Sequence, residues 1–215
     1  MFMLNMAKNS SYMDQVVRND YSQRINIEAF DLGARTLLVL GYGRIGTRVA
    51  RLASAFGMTV LVCDEKFDRS VSEVDGFEII HDLDEGLART TFLTIHIPLT
   101  DKSANLINKD RLLKMPKGSY LVNCARGGIV DEQALTELTQ SGHIAASAFD
   151  VFSVEPITAD NPLLSAKNTQ LSPHAAAFTA ESLHRMSYQA ASNICDYFNG
   201  GVPKANIYDL SLIHI

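Results

Sequence analysis

The chain alternates between short runs of apolar residues and longer stretches in which apolar residues recur at helical spacing. A run that is apolar at every position predicts a strand buried on both faces, and an amphipathic stretch predicts a helix. The predicted strands cover residues 36–40, 58–63, 78–80, 91–95, 119–122, 145–149 and 169–171, and the helices between them cover 44–56, 83–88, 109–114 and 132–140. This alternation predicts an α/β fold with a doubly wound parallel sheet, covered by helices on both faces.

Both ends of the chain differ from this repeat. Apolar residues at helical spacing predict a first helix over residues 1–20, with one broad face formed by Met3, Met6, Tyr12, Met13, Val16 and Val17. A connector follows over residues 19–33, and the predicted core covers 34–178. A closing helix over residues 180–199 stops at a pair of glycines. We therefore predict one domain over residues 1–215, with an extended tail after Pro203.

The turn between the first predicted strand and its helix has the sequence GYGRIG, residues 41–46, which we call the glycine loop. In a dinucleotide-binding fingerprint, Gly41 permits the tight turn, Gly43 lets the backbone approach a pyrophosphate, and Gly46 lets the helix pack close to the strand. Backbone N–H groups at the helix start then face the phosphates. Because strand, loop, helix and second strand follow in the expected order, we favour nucleotide binding over a merely structural turn.

An acidic residue ends the second predicted strand. Asp64 lies 23 residues after Gly41, where a carboxylate accepts hydrogen bonds from both hydroxyls of an adenosine ribose. An acid at this position favours NAD over NADP, because a 2′-phosphate would meet a like charge. Lys66 and Arg69 lie close by in the sequence and leave some tolerance of NADP as the alternative.

Composition and charge narrow the class of partner. The net charge is −5 and the basic residues are scattered, which argues against nucleic-acid binding, and no apolar run approaches the length of a membrane span. The amino terminus lacks the pattern of a secretory signal, so we expect a cytoplasmic protein. Three cysteines far apart in the sequence, Cys63, Cys124 and Cys195, argue against a disulfide framework and against a zinc site.

Four further segments directly follow predicted strands, which is where ligands bind in such sheets. They are HIPLT at 96–100, NCARGGIVDE at 123–132, DVFSVEP at 150–156 and SPHAAA at 172–177. Together with the glycine loop, these segments strongly resemble the D-2-hydroxyacid dehydrogenase family in its nicotinamide-cofactor domain. The resemblance covers nearly the entire chain, and it implies a Rossmann-type NAD-binding domain.

The resemblance implies that Arg126 binds the substrate carboxylate and that Glu155 and His174 form an acid–base pair. Oxidation of a 2-hydroxy acid removes a hydride from C2 and a proton from the hydroxyl, which requires a hydride acceptor and a base that titrates near neutral pH. A neighbouring carboxylate orients an imidazole, and a guanidinium binds a carboxylate through two hydrogen bonds. An arginine after a strand is often a surface ion-pair partner, but the place of Arg126 between Cys124-Ala125 and Gly127-Gly128 favours function. Without the family pattern, Glu155 is a solvated loop acid. His174 has the alternative of a satisfied loop histidine, but its setting at a strand end beside small residues leaves room for a nicotinamide ring.

The same resemblance implies a set of contacts to NAD. They come from Arg44 and Ile45 to the pyrophosphate, Asp64 to the ribose, Ile97 and Pro98 along the adenosine, Cys124 and Ala125 near the nicotinamide ribose, and Asp150 to the carboxamide. Ser103 stands where the family commonly has threonine, and it keeps the hydroxyl. His96 is balanced between a structural role and a cofactor contact. The remaining histidines are given no role: His81, His143, His184 and His214.

Family members have a second domain that encloses the substrate, and it is built mostly from residues before the cofactor domain. Only about 35 residues precede the first strand here, which are too few for an ordinary domain. Three hypotheses follow. The chain is a shortened dehydrogenase that binds NAD with impaired activity, or a dehydrogenase whose substrate domain comes from another chain. The third is a non-catalytic, NAD-responsive binding protein, a role that some relatives have.

Oligomeric state and substrate follow only from analogy. The first helix and residues 100–120 resemble surfaces that pair subunits in the family, so we expect a homodimer. The substrate is expected to be a small 2-hydroxy or 2-keto acid. Its identity is left open among phosphoglycerate, glycerate, lactate and longer acids, because the specificity pocket draws on the absent domain.

Overall fold

Eight strands form one sheet in the computed structural model of the chain, which describes residues 1–201. The strands are β1 Thr36–Leu40, β2 Thr59–Cys63, β3 Glu73–Val74, β4 Phe77–Ile79, β5 Phe92–Ile95, β6 Ser119–Asn123, β7 Ile144–Phe149 and β8 Thr169–Leu171. Their spatial order is β3-β4-β2-β1-β5-β6-β7-β8, and all neighbours are parallel except β3 and β4. The strand order reverses between β1 and β5, which confirms the predicted doubly wound α/β fold.

Helices flank the sheet. They are α1 Phe2–Lys8, α2 Ser10–Asn19, α3 Arg44–Ala55, α4 Leu83–Arg89, α5 Lys109–Lys114, α6 Glu132–Gln140 and α7 Ala180–Phe198. Short 3-10 turns occur at Tyr21–Asn26, Leu32–Ala34 and Pro162–Ser165.

Two hydrophobic clusters hold these layers together, one on each face of the sheet. Along β1, Leu37 and Val39 join the cluster that contains α1 and α3, whereas Leu38 and Leu40 join the cluster that contains α4, α5 and α6. All four side chains are buried. Since burying one such side chain contributes roughly 1.5–3 kcal/mol, the apolar run in β1 is a large local source of stability next to the glycine loop.

The prediction of one helix over residues 1–20 is wrong. Asn9 lies between α1 and α2 with φ 49° and ψ 45°, in the left-handed region that interrupts a helix and that asparagine tolerates better than most residues. The break changes the phase of the helical face. Val16 is buried as predicted, but Val17 is 67% exposed.

Strand β3 was not predicted. It is only two residues long and pairs with β4 across the turn Asp75-Gly76, whose φ angles are 53° and 83°. Asp-Gly with both residues at positive φ is the usual turn of a two-residue hairpin, so the dipeptide itself was the missed signal. The hairpin forms the edge of the sheet beside β2 and supports the glycine loop, as described below.

The described chain forms two units, Met1–His174 and a second that begins at Ala175. The second contains α7, which starts at Thr179, whose hydroxyl accepts a hydrogen bond from the N–H of Ser182 at 3.0 Å. The prediction of a single domain stays a prediction, and the predicted extended tail after Pro203 lies outside the described residues. Within residues 1–201, no helix combines the length and the hydropathy of a membrane span.

Candidate functional site

The predicted site residues lie in loops at the carboxyl ends of adjacent strands. Gly41 follows β1, Asp64 follows β2, and Cys124 follows β6. Ile97 and Asp150 stand in the same position after β5 and β7. Because these strands are parallel neighbours, their carboxyl ends share one edge of the sheet, and the fold brings together residues that are distant in sequence.

The glycine loop is closely packed at two glycines and open at the third. A Cβ added to Gly41, whose φ is 96°, would lie 2.7 Å from the side chain of Ile97, and one added to Gly46 would lie 2.0 Å from the carbonyl oxygen of Gly41. A Cβ added to Gly43 would meet no atom within 4 Å. Gly43 therefore leaves room beside the backbone for a group from outside the chain.

Helix α3 begins at this opening. Gly43 is its N-cap residue, and no side chain caps the helix. Arg44 and Ile45 of the first turn are exposed. The first N–H groups of a helix have no partner within it, and the helix dipole favours an anion there, so the loop fits the pyrophosphate of a dinucleotide.

Tyr42 anchors the glycine loop, a role that sequence reasoning missed. Its N–H donates to Asp64 at 2.7 Å, and its hydroxyl donates to Asp75 in the β3–β4 turn at 2.7 Å. Arg51 binds the same oxygen of Asp75 at 3.1 Å. The ring of Tyr42 is 4% exposed, and burial followed by the Asp75 carboxylate raises its pKa to about 12. The missed hairpin explains why the anchor was missed.

In Tyr42→Phe, the free energy of unfolding is expected to fall less between about pH 8 and about pH 11 than it does in the unsubstituted chain. Since the pKa of Tyr42 is raised from 10.0 to about 12, its contribution is complete below pH 10 and is lost as the pH rises towards 12. Urea unfolding of both proteins at about pH 8 and about pH 11 measures the difference. Tyr188→Phe, at an exposed position of α7, is the control, and an equal pH dependence in Tyr42→Phe and the unsubstituted chain would contradict the assignment.

Asp64 is held in place by backbone groups. One carboxylate oxygen accepts from the N–H of Tyr42 at 2.7 Å, and the other accepts from the N–H of Lys66 at 2.9 Å. The carboxylate borders a cavity of about 560 Å³ that also includes Arg69 and His81. The ammonium group of Lys66 lies 3.9 Å from Asp64 and 5.0 Å from the ring centre of Phe67.

A second cavity, of about 280 Å³, gathers most of the other predicted cofactor residues. It is lined by Gly43, Arg44, Ile45, His96, Ile97, Pro98, Cys124, Ala125 and Arg126. A larger cavity of about 690 Å³, between α1 and strands β7 and β8, contains none of the predicted site residues. The cavity of about 280 Å³ thus joins the glycine loop to the loops that follow β5 and β6.

Two polar side chains support the loop after β5. The buried hydroxyl of Ser103 donates to the carbonyl of Pro98 at 2.7 Å and accepts from the N–H of Thr100 at 2.7 Å, so here it braces the loop. The ring of His96 lies 3.0 Å from the hydroxyl of Thr94. Burial lowers the pKa of His96 to about 4, so this imidazole is neutral at physiological pH.

Asn123 shapes the loop that carries Arg126. Its side-chain amide donates to the carbonyl of Arg126 at 2.9 Å and accepts from the N–H of Ala125 at 3.0 Å. Arg126 is exposed, and its guanidinium donates to the carbonyl of Ala125 at 2.7 Å. A Cβ on Gly127 would lie 1.7 Å from the carbonyl oxygen of Phe152, so glycine permits this loop to touch the next one.

Glu155 and His174, which the sequence predicts to be an acid–base pair, are in contact. Nδ1 of His174 lies 2.7 Å from a carboxylate oxygen of Glu155, and the other oxygen accepts from the N–H of Phe152 at 2.9 Å. The hydrogen bond from His174, and then the one from Phe152, hold the pKa of Glu155 below its ordinary value. Nearby, the buried carboxylate of Asp150 accepts a hydrogen bond from the hydroxyl of Ser172.

Among residues 1–201, no cluster of acidic, histidine or cysteine side chains is arranged to hold a metal ion.

The chain is similar in sequence to known proteins over most of its length. Residues 1–176 match the family model described as D-isomer specific 2-hydroxyacid dehydrogenase, NAD binding domain. A glyoxylate reductase from Aeropyrum pernix is 42% identical over 173 residues, which are 80% of this chain and 51% of that protein. A D-3-phosphoglycerate dehydrogenase from Methanocaldococcus jannaschii is 39% identical over 180 residues, which are 84% of this chain and 34% of that protein.

A solved structure agrees with these matches. D-lactate dehydrogenase from Aquifex aeolicus, complexed with NAD and lactic acid, superimposes with a TM-score of 0.81 at 32% sequence identity. The match covers 92% of this chain and 64% of that one. The chain thus spans between about a third and a half of the curated relatives named above, and it corresponds to their NAD-binding part.

Proposed function

This chain belongs to the D-isomer specific 2-hydroxyacid dehydrogenase family, and on that premise we propose that it is an NAD-dependent oxidoreductase module. The proposed reaction is hydride transfer between NAD(H) and a 2-hydroxy or 2-keto acid. The observation that carries the proposal is the 2.7 Å contact between His174 and Glu155, at the same sheet edge as Arg126 and the glycine loop. An acid–base pair, a cation for a carboxylate and a phosphate-binding turn are the parts that this reaction requires.

Each residue of the proposed site has its own role in the reaction. NAD, when bound, supplies the hydride acceptor or donor. In oxidation, Nε2 of His174 takes the hydroxyl proton while the C2–H bond gives up its electron pair and the C2=O bond forms. Glu155 holds Nδ1 of the same ring, which leaves Nε2 as the basic nitrogen. Arg126 binds the substrate carboxylate through its planar guanidinium.

Contacts to NAD are proposed for residues at the carboxyl edge of the sheet, several of which line the two cavities. The pyrophosphate is held by the glycine loop, through Gly41, Gly43, Arg44, Ile45 and Gly46. The adenosine side is held by Asp64 at the ribose and by the loop after β5, through Ile97, Pro98 and Ser103. The nicotinamide side is held by Cys124 and Ala125 beside the ribose and by Asp150 at the carboxamide. Support for this arrangement comes from the open space at Gly43 and from the fixed carboxylate of Asp64. Neutral His96 adds no charge to the site.

Two measurements test the function. Titration of the purified chain with NADH reports cofactor binding, and NADH oxidation with a panel of 2-keto acids reports turnover. Binding together with turnover supports the proposal. Binding without turnover on any acid rejects a self-sufficient enzyme and favours an NAD-binding module, and a chain that does not bind NADH contradicts both.

Asp64→Ala is expected to weaken NAD binding by about ten- to a hundredfold and to narrow the preference for NAD over NADP. Hydrogen bonds to a charged group contribute about 1.5–3 kcal/mol, and the like charge that disfavours a 2′-phosphate is removed. Titrations with NADH and NADPH measure both effects. Asp68→Ala removes a nearby exposed acid and is the control. Unchanged selectivity in Asp64→Ala would refute the ribose assignment.

We also propose an oligomeric state and a cellular location for the chain. A homodimer is supported by exposed apolar side chains in α2 and in the 3-10 turn that follows it, among them Val17, Tyr21 and Ile25. Sedimentation equilibrium tests it. A cytoplasmic location is supported by three free thiols, which suit a reducing compartment.

A further inference from the structure

A buried carboxylate with no role in the proposed chemistry lies beside the Glu155 loop. Glu132, the first residue of α6, is only 7% exposed. One of its oxygens accepts from the N–H of Ser153 at 2.7 Å. The other accepts from the hydroxyl of Ser153 at 2.9 Å and from the side-chain amide of Asn161 at 2.8 Å. Glu132 is the acceptor in all three bonds, so both of its oxygens have donors from Ser153 or Asn161.

The helix itself does not require this carboxylate. Asp131 is the N-cap of α6, and its side chain accepts from the N–H of Ala134 at 2.9 Å. The side chain of Glu132 is therefore directed to the loop instead of to the first turn of its own helix. Burying a carboxylate costs free energy unless hydrogen bonds compensate for the lost water. The three donors to Glu132 supply that compensation, and they tie the side chain to the loop.

The loop bound by Glu132 is the one that carries Glu155. Ser153 lies two residues before Glu155, and its neighbour Phe152 donates its N–H to Glu155 at 2.9 Å. The carbonyl of Phe152 packs against Gly127, where a Cβ would come within 1.7 Å. The backbone just before Glu155 is thus fixed at two consecutive residues, and Glu132 supplies the polar part of that restraint.

We propose that Glu132 is a positioning residue that sets the geometry of the hydrogen bond between Glu155 and His174. The catalytic importance of Glu132 rests on the proposed function. The hydrogen bonds themselves are present in the chain without cofactor or substrate. With Ser153 released, the loop moves and Glu155 no longer holds Nδ1 of His174 in one tautomer. The proton acceptor for the 2-hydroxy acid is then disordered.

Glu132→Gln breaks the arrangement with almost no change in shape. Whichever way the new amide turns, its NH₂ group meets the N–H of Ser153 or the amide of Asn161. Asn161 cannot turn its own amide without losing the bond that its oxygen accepts from the N–H of Leu163 at 2.9 Å. Adding Asn161→Asp restores a complementary pair, because the new carboxylate accepts from the new amide and keeps the bond to Leu163.

The test measures the ¹⁵N spectrum of the His174 imidazole, at a pH well above the ordinary histidine pKa. The unsubstituted chain is expected to show one tautomer with the proton on Nδ1, Glu132→Gln a mixture, and the double variant Glu132→Gln with Asn161→Asp the single tautomer again. Glu137→Gln, at an exposed acid of the same helix, is the control. Where turnover is measurable, kcat is expected to fall roughly ten- to a hundredfold in Glu132→Gln, with NADH affinity unchanged.

The spectrum does not depend on turnover, so a chain without dehydrogenase activity still tests the proposal. A single tautomer in Glu132→Gln overturns it, and if the melting temperature falls at the same time, Glu132 serves stability alone. If Glu132→Gln does not fold, Ser153→Ala, which removes only the hydroxyl donor, is measured in the same way. A mixture supports the proposal, and an unchanged tautomer contradicts it.

Discussion

Gly46→Ala is expected to lower the melting temperature and to weaken NADH binding by roughly a hundredfold or more. The new Cβ would lie 2.0 Å from the carbonyl oxygen of Gly41, a distance that the backbone cannot accommodate without moving. It would also make a tight contact of 3.2 Å with the side chain of Val39. Overpacking of this kind costs about 1–3 kcal/mol or more, and about 3 kcal/mol corresponds to roughly two orders of magnitude in affinity. Thermal unfolding and NADH titration measure the two effects.

Gly43→Ala is the matched variant in the same loop. Gly43 has φ −84° and ψ −162°, which alanine adopts freely, and its Cβ would meet no atom within 4 Å. The melting temperature is therefore expected to stay unchanged while NADH binding falls by about tenfold or more, because the methyl group fills the space beside the phosphates. Normal NADH affinity in Gly43→Ala would contradict the placement of the pyrophosphate, and normal stability in Gly46→Ala would contradict the packing.

The fold was predictable because burial on both faces leaves a direct record in the sequence. In β1 every residue from Leu37 to Leu40 is buried, and such a run has few structural alternatives. The features that were missed depend on single residues. Asn9 breaks the first helix through a left-handed conformation, and Asp75-Gly76 creates a two-residue strand too short to show an apolar pattern.

The site was predictable to the extent that it lies at strand ends. The structure brings Gly43, Pro98, Ala125 and Arg126 to one cavity, as sequence order and parallel pairing require. Two supporting contacts were missed for different reasons. Asn123 accepts from the N–H two residues on, a local turn that asparagine often makes and that was overlooked. Glu132 accepts from the N–H of Ser153, and nothing in the sequence spacing of these two residues indicates that contact.

His174→Ala is expected to lower kcat/KM of any measurable NADH-dependent reduction by about 10²–10⁴-fold, the usual contribution of a positioned general acid or base. Nε2 of this ring is the proposed proton carrier, and the contact to Glu155 at 2.7 Å is the only role that its Nδ1 has among the described contacts. NADH affinity is expected to stay the same. His184→Ala removes an exposed histidine of α7 and is the control.

Glu155→Gln separates orientation from proton transfer in the same reaction. The amide keeps the shape of the side chain but loses the negative charge that faces Nδ1 of His174, so a smaller loss of kcat than in His174→Ala is expected. The pKa of Glu155 is held below its ordinary value by His174 and by the N–H of Phe152. Its contribution to the pair is therefore present above the ordinary carboxyl pKa and is lost only as the pH falls through the lowered value. Two results would remove this pair from the mechanism. One is a pH profile in which kcat/KM falls at the ordinary glutamate pKa. The other is activity in His174→Ala within about threefold of that of the unsubstituted chain.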